Sequence, residues 1–407
     1  MLHSDRGVPG DVRGRRYRDG MRILHTGDWH LGRTLLGADL LDHQAAFLDH
    51  LVDVVRDRSV DLVVVAGDVY DRAIPPVEAV RMLSGALGRL AEHATVVITP
   101  GNHDSAARLG FGAAVMASRV RILAEPAGIA TPVLVDDPAG AVAVYGIPYL
   151  HPDLTRWALA AVPDEPLARS HQAVVGAATE RIRADLATRP GTRSVVVAHA
   201  FVGGAEPSDS EQDIRVGGVD MVARSTFDGF DYVALGHLHG PQRVGDGDRV
   251  RYAGSPLAFS FGERHQAKSV TLVDLAADGS VAVELLPTPV PRRLVDVRAT
   301  IAAIESGAFA DDADAWVRVA VTDTVHPERM YQRVKDHLPH ALAITHEPAD
   351  AAARPAARAV TATSDPVEVA ADFVTFATGA VPDDDDRAVL TEAYEAAARA
   401  LQTEGER

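Results

Sequence analysis

The chain has 407 residues, 47% of them hydrophobic, so it can bury a large core and divide into more than one domain. It contains no cysteine, which excludes disulfides and thiolate metal ligands. The formal net charge of -17 argues against tight autonomous binding of nucleic acid, unless bound cations or a partner supply positive charge. No apolar run reaches the roughly 20 residues that span a bilayer, and no signal peptide is evident. The sequence therefore predicts a cytoplasmic protein without a membrane partner.

Residues 1–20 carry Gly, Pro and mixed charge without periodicity, and we predict a flexible tail there. From Met21, short runs of Val and Ile alternate with amphipathic helical patterns. The apolar runs are continuous, which is typical of strands covered on both faces. Two helical stripes are clear: Leu41, Ala45, Leu48, Val52 and Val55, and then Val80, Leu83, Leu87 and Leu90. The alternation predicts a layered α/β domain over residues 21–286.

The pattern changes at a proline cluster between residues 287 and 291. Residues 287–348 then show strand alternation and one amphipathic helix, so they predict a small α+β domain. Residues 349–365 are rich in Ala, Pro and Thr, and we interpret them as a linker. Residues 366–407 predict two helices. Their apolar stripes are Val369, Phe373 and Phe376, and Leu390, Tyr394, Ala397 and Leu401.

Five predicted strands end in residues that commonly bind metals. The motifs are Gly27-Asp28-Trp29-His30, Gly67-Asp68, Gly101-Asn102-His103-Asp104, His199 and Gly236-His237-Leu238-His239. Alternate residues at a strand end point to the same side, so the two ligands of one motif can converge on one ion. Carboxylate, imidazole and amide oxygen without thiolate are typical of Mn, Fe or Zn sites. One such motif is usually structural, but five in this arrangement predict a metal centre at the carboxyl ends of the strands.

Three further features near these motifs have two interpretations each. Asp71 and Asp104 would orient a ligand or a catalytic imidazole, or would be turn residues only. Arg33 would contact a substrate phosphate or form a surface salt bridge. The acidic loop Ser208–Asp213 would gate the site or be solvated. The residues alone leave these alternatives open.

The order D-x-H, GD, GNHD, H and GHxH resembles the calcineurin-like metallophosphoesterase superfamily. Within it, GDVYDRAIPP, TPGNHDS, SDSEQDIRVGG, DYVALGHLHGPQ and RYAGSPLAFSFGE resemble the SbcD family of bacterial DNA-repair nucleases, from Met21 to about Glu284. GHLHGPQ followed by YAGSP, with the appended domain, favours this family over other phosphoesterases. The resemblance implies a four-layered α/β sandwich, in which two central mixed sheets are flanked by helices. It also implies that residues 287–348 form a capping domain that helps to position DNA.

The resemblance also implies two divalent metal ions, with Mn²⁺ as the family expectation. One ion would be held by Asp28, His30, Asp68 and His239. The other would be held by Asp68, Asn102, His199 and His237, so that Asp68 bridges the two. His103 matches the catalytic histidine of the family, and we expect Asp104 to hold it. All seven ligand types are present, which argues against a non-catalytic scaffold protein.

By the same resemblance, the chain would be the nuclease subunit of an SbcCD-type complex. Two copies would assemble with two copies of an SbcC-type ATPase, which would bind the C-terminal helices. The activities implied are 3′-5′ double-strand exonuclease and single-strand or hairpin endonuclease. A homodimer would form through helices of the nuclease domain, although each apolar stripe would equally well pack on its own sheet. The alternative function is a small-substrate metallophosphodiesterase, which the acidic net charge favours.

Overall fold

The computed structural model describes residues 19–116, 118–162, 164–208, 221–348, 365–378 and 381–404, with side chains to residues 375 and 396 in the last two segments. The predicted tail lies almost wholly outside the described residues. So do residues 349–364 of the predicted linker and all of the acidic loop beyond Ser208.

Seventeen strands and nine α-helices are formed within the described part of the chain. The strands are β1 Gly20–Thr26, β2 Thr34–Leu35, β3 Ala38–Asp39, β4 Leu62–Ala66, β5 Thr95–Thr99, β6 Val120–Ile122, β7 Val133–Asp137, β8 Gly140–Ile147, β9 Arg193–His199, β10 Tyr232–Gly236, β11 Gln242–Arg243, β12 Val250–Tyr252, β13 Ser269–Ala276, β14 Val281–Pro287, β15 Leu294–Ala299, β16 Trp316–Val321 and β17 Ala341–His346. The helices are α1 Leu41–Asp57, α2 Val77–Ala91, α3 Ala106–Leu109, α4 Pro152–Thr155, α5 His171–Leu186, α6 Ile301–Glu305, α7 Met330–His337, α8 Pro366–Thr378 and α9 Asp384–Glu404.

Two six-stranded mixed sheets form the centre of the α/β domain. One has the strand order β14-β13-β1-β4-β5-β6, and the other has the order β11-β12-β10-β9-β8-β7. In the first sheet β1, β4 and β5 run parallel, whereas β13 pairs antiparallel with β1. In the second sheet β8, β9 and β10 run parallel. The parallel strands carry the motifs identified in the sequence.

The continuous apolar runs are buried on both faces of their strands. In β4, Leu62 and Val64 pack in a cluster shared by the two sheets, with Val144 and Val195 of the second sheet. Their neighbour Val63 belongs to a different cluster, formed with the outer helices. This double burial explains why the runs lack polar alternation.

Helices cover the outer face of each sheet. Helices α1 and α2 pack on the first sheet through buried side chains that include Leu48 and Leu83. Helix α5 packs on the second sheet through Val174 and Ile182. The order is therefore helix, sheet, sheet, helix, and the four-layered α/β fold predicted from the sequence is confirmed. Most of the two apolar stripes is buried in this core, although Val80 at the start of α2 is exposed.

The described residues divide into two compact units, and the division falls after Arg293. The second unit contains the parallel sheet β15-β16-β17, whose core includes Val317, Val319 and Val334. Helix α7 supplies Val334, as its predicted apolar face requires.

Helices α8 and α9 are joined by an ion pair of 2.6 Å between Arg387 Nη1 and Glu368 Oε1. Among the aromatic side chains described on these helices, Phe373 and Tyr394 are exposed. Throughout the described residues, no helix combines the length and apolar character that crossing a membrane requires.

Candidate metal centre

The predicted ligands lie where five parallel strands end. Asp28 follows β1, Asp68 follows β4 and Asn102 follows β5 in one sheet; His199 ends β9 and His237 follows β10 in the other. The loops of the first sheet are tied together, because the backbone N–H of Asp28 donates to the Gly67 carbonyl at 3.0 Å. The carboxyl edges of both sheets therefore contribute to one cleft.

Four of the predicted ligands have an unfavourable backbone conformation. The φ angles are 52° at Asp28, 44° at His30, 47° at Asp68 and 112° at His237. A non-glycine residue with positive φ costs about 1–3 kcal/mol, and such residues persist where the surrounding structure imposes them. Their concentration at the predicted ligands supports a functional role for these positions.

The glycines that precede the ligands allow close approach of the loops. A Cβ atom at Gly101 would lie 2.1 Å from Asp68 Oδ1 and 2.3 Å from the Asp68 backbone nitrogen. Any side chain there would displace the Asp68 loop. These glycines therefore bring the ligand loops together.

The first ligand cluster contains Asp28, His30 and His239, all buried, with one ligand atom from each within 4.8 Å of the others. The Nε2 atoms of His30 and His239 face each other at 3.1 Å. His30 Nδ1 is buried without a hydrogen-bond partner.

The second cluster brings three potential ligand atoms together. Asn102 Oδ1 lies 2.8 Å from His199 Nε2 and 3.2 Å from His237 Nδ1, and the two ring nitrogens are 3.3 Å apart. His199 Nδ1 donates to the Ala66 carbonyl at 2.9 Å, so Nε2 of the neutral ring carries a lone pair. The amide oxygen and the two ring nitrogens form a donor set that fits a divalent ion such as Mn²⁺, Fe²⁺ or Zn²⁺.

Asp68 lies between the two clusters. Its Oδ2 is 3.6 Å from His30 Nε2 and 3.5 Å from His199 Nε2. Its Oδ1 accepts the backbone N–H of His103 at 2.9 Å. The carboxylate is thus placed to serve both clusters, which is the position that the family resemblance implies for a bridging ligand.

The ionisation of the site follows from burial and from Asp68. Burial raises the pKa of the Asp68 carboxyl, but the nearby His199 outweighs it, and the pKa falls well below its ordinary value. Burial lowers the pKa of His199, but the Asp68 charge raises it to about 9. Burial also holds the pKa values of His30 and His237 well below normal, so both rings are neutral. Two neutral imidazoles and an ionised carboxylate are the forms that bind metal.

Metal uptake near neutral pH should release about one proton per chain, because His199 is protonated in the metal-free protein and must lose that proton to become a ligand. Affinity should accordingly rise with pH up to about 9. Calorimetric titration with Mn²⁺ in two buffers of different protonation enthalpy measures the release. The same heat in both buffers would contradict the prediction.

His103 lies at the open side of the clusters. Its side chain is 39% exposed, and its ring is 4.7 Å from that of His30. Nδ1 donates to the Asp71 backbone carbonyl at 2.8 Å, and Nε2 lies 3.9 Å from Asp68 Oδ2. Nε2 is therefore free to carry a proton towards a group bound in the cleft.

The role expected for Asp104 needs correction, because Asp71, not Asp104, contacts the His103 ring. The Asp104 carboxylate instead accepts three backbone N–H groups, from Val69 at 3.0 Å, Tyr70 at 2.9 Å and Gly101 at 2.9 Å. Burial, with the Asp68 charge, raises the pKa of this carboxyl to about 6. Asp104 thus joins the loops that carry Asp68 and Asn102. Because its carboxylate is turned towards these N–H groups, the side chain does not reach the imidazole.

Phe259 and Arg33 border the first cluster. The Phe259 ring lies 5.2 Å from that of His30 and 5.6 Å from that of His239. The Arg33 guanidinium lies 5.0 Å from the Phe259 centroid, and its Nε is 3.7 Å from Asp71 Oδ1. Arg33 therefore combines an ion pair with a position at the rim of the site.

Phe259, Glu263 and Lys268 also contribute to the site, although they were not among the residues predicted for it. Glu263 Oε1 lies 3.2 Å from His239 Nδ1, and Oε2 lies 2.5 Å from Lys268 Nζ. Burial raises the pKa of Glu263. The hydrogen bond with His239 and the charge of Lys268 outweigh this effect and hold the pKa well below its ordinary value. One signal was available: the only lysines in this arginine-rich chain are Lys268 and Lys335.

A four-layered α/β fold that brings carboxylate, imidazole and amide ligands to one cleft is typical of metal-dependent hydrolases. The chain belongs to the calcineurin-like phosphoesterase family, whose model matches residues 21–241, more than half of its length. The protein is therefore a metal-dependent phosphoester hydrolase.

Two solved structures are similar to this chain at low identity. TT1561 of Thermus thermophilus is 15% identical with a TM-score of 0.38, and the match covers 65% of this chain and 99% of that one. GAP50, the anchor in the inner membrane complex of Plasmodium, is 11% identical with a TM-score of 0.35, and the match covers 82% of this chain and 98% of that one. At these scores neither likeness bears on the function of this chain.

Proposed function

We propose that this chain is a DNA nuclease of the SbcD kind, which uses two divalent metal ions, with Mn²⁺ as the expected metal. The observation that carries the phosphodiesterase chemistry is the position of Asp68 between two ligand clusters. The choice of DNA as substrate rests on the motifs that resemble the SbcD family and on the second compact unit, Leu294–Arg407. A small-molecule hydrolase has no need of such a unit.

When bound, the divalent ions would act as Lewis acids that activate water and neutralise phosphoryl charge. Asp28, His30, Asp68 and His239 would hold one ion, and Asp68, Asn102, His199 and His237 the other. His103, fixed by the Asp71 carbonyl, would donate a proton from Nε2 to the leaving 3′-oxygen. Arg33 at the rim would contact a neighbouring phosphate of the substrate. To do so, its guanidinium would have to give up its ion pair with Asp71.

We further propose that α8 and α9 bind an SbcC-type ATPase, as the family resemblance implies. The exposure of Phe373 and Tyr394 supports this, because large exposed aromatic side chains are typical of protein interfaces. A partner that carries basic residues would also offset the net charge of -17 when DNA binds. The homodimer remains a prediction, and it would need faces of α1 and α2 other than those buried in the core.

A small-substrate phosphodiesterase is the second candidate, since the metal centre would serve it equally well. The formal net charge of -17 is the observation that favours it.

Degradation of a linear DNA duplex in Mn²⁺ separates the two candidates. The full chain would be assayed alone and with an SbcC-type ATPase and ATP, beside a chromogenic phosphodiester as control. We expect loss of duplex from its ends, and faster loss with the ATPase. Hydrolysis of the chromogenic diester alone, even with the ATPase present, would overturn the nuclease assignment in favour of the small-substrate enzyme.

A further inference from the structure

A buried ion pair lies directly behind one metal ligand. Glu263 is 1% exposed and Lys268 is 5% exposed. The ammonium of Lys268 donates to the His239 backbone carbonyl at 2.9 Å and to Ser255 Oγ at 2.8 Å, as well as to Glu263. The pair therefore contacts both the ring and the backbone of His239.

The carboxylate determines which nitrogen of His239 faces the cleft. An ionised carboxylate can only accept, so the contact of 3.2 Å requires a proton on His239 Nδ1. The lone pair of the neutral ring is then on Nε2, the atom that lies 3.1 Å from His30 Nε2. Lys268 keeps Glu263 ionised in a place where burial alone would favour the neutral acid.

The two ligand clusters differ in the group that accepts the Nδ1 proton of a ligand histidine. In the second cluster, a neutral backbone carbonyl, that of Ala66, holds His199 Nδ1 at 2.9 Å. A charged acceptor orients the ring more strongly than a neutral one does. The two metal positions therefore depend on different supporting groups.

We propose that the Glu263–Lys268 ion pair is a positioning device that sets the metal affinity of the Asp28, His30 and His239 cluster, independently of the cluster around His199. The proposal rests on the metal centre of the proposed function and makes no use of its DNA substrate. Glu263 lies behind the ring of His239, at Nδ1, and so would act on the metal through that ligand.

The test is Mn²⁺ binding to the metal-free, full-length protein by calorimetry, with no substrate present. Glu263→Gln keeps the size of the side chain but removes its charge. We expect affinity at one of two sites to fall about 10- to 100-fold, as for loss of a partner that orients a metal ligand, and the other site to keep its affinity. Glu263→Asp, which keeps the charge but is too short to hold the ring, should show the same loss if Glu263→Gln fails to fold.

Asp137→Asn is the matched control. It breaks another buried ion pair, in which Asp137 Oδ1 lies 2.6 Å from Arg193 Nη2, at the end of β9 opposite His199. This variant should lower the melting temperature of the metal-free protein but bind Mn²⁺ as the wild type does.

Unchanged affinity at both sites in the Glu263 variants, or an equal loss at both, would overturn the proposal. The Glu263 variants could lose affinity at one site only, as expected, while the wild type never cleaves DNA. In that case the nuclease assignment fails and the role of Glu263 stands.

Discussion

Replacement of Asp68 by alanine is expected to abolish hydrolysis of both DNA and a chromogenic phosphodiester. Its Oδ2 lies 3.6 Å from His30 Nε2 and 3.5 Å from His199 Nε2, so one substitution removes a ligand atom from both clusters. Loss of an outer partner of a ligand costs roughly 10- to 100-fold, and loss of a shared ligand should exceed that. Calorimetry with Mn²⁺ should show weakened binding at both sites, together with the loss of turnover.

The control for this variant is Asp49→Ala, which removes a surface carboxylate whose partner is Arg89 on α2. An exposed ion pair of this kind contributes at most about 1 kcal/mol, so activity and metal binding should stay at the wild-type level. Circular dichroism would establish that the Asp68→Ala chain is folded. A folded Asp68→Ala variant that still binds two ions with full affinity would rule out the bridging position.

The fold was predictable because its signals are local and repeated. Each central strand, such as β4 and β9, is an unbroken run of apolar residues, and each outer helix shows an apolar stripe. These patterns follow directly from burial on two faces or on one. Val80 deviates because it lies in the first turn of α2, where it is exposed. A periodic pattern identifies the face of a helix but cannot show how far the sheet extends beneath it.

The convergence of the candidate ligands was predictable for a related reason: the parallel strands that carry them end at the same edge of their sheets. The supporting groups were not, because they come from loops whose paths depend on tertiary structure. Glu263 lies 24 residues beyond His239, and nothing in its spacing indicates contact with the ring. The carbonyl of Asp71 holds His103, although a backbone carbonyl leaves no trace in the sequence. Proximity in sequence suggested Asp104 instead, and that was wrong.

Replacement of His103 by alanine should separate metal binding from turnover. The imidazole lies outside the two clusters formed around Asp68, although its Nε2 is 3.9 Å from Asp68 Oδ2, and the hydrogen bond to that carboxylate comes from the backbone N–H, at 2.9 Å. Alanine retains this N–H, so Mn²⁺ binding should change little. The proton donor is lost, and turnover of DNA should fall by about 10²- to 10⁴-fold, the usual contribution of a general acid.

Two substrates with different leaving groups test whether His103 is the proton donor. A 3′-hydroxyl leaves poorly without protonation, whereas a nitrophenolate leaves readily as an anion. His103→Ala should therefore lose much less activity on a nitrophenyl diester than on DNA. The control is His93→Ala, which removes an exposed imidazole just after α2 and should lose no activity on either substrate. An equal loss on both substrates, with metal binding intact, would mean that His103 stabilises charge on the phosphoryl group instead of protonating the leaving oxygen. Loss of metal along with activity would instead make His103 a ligand, a role that its position beside His30 and Asp71 would allow.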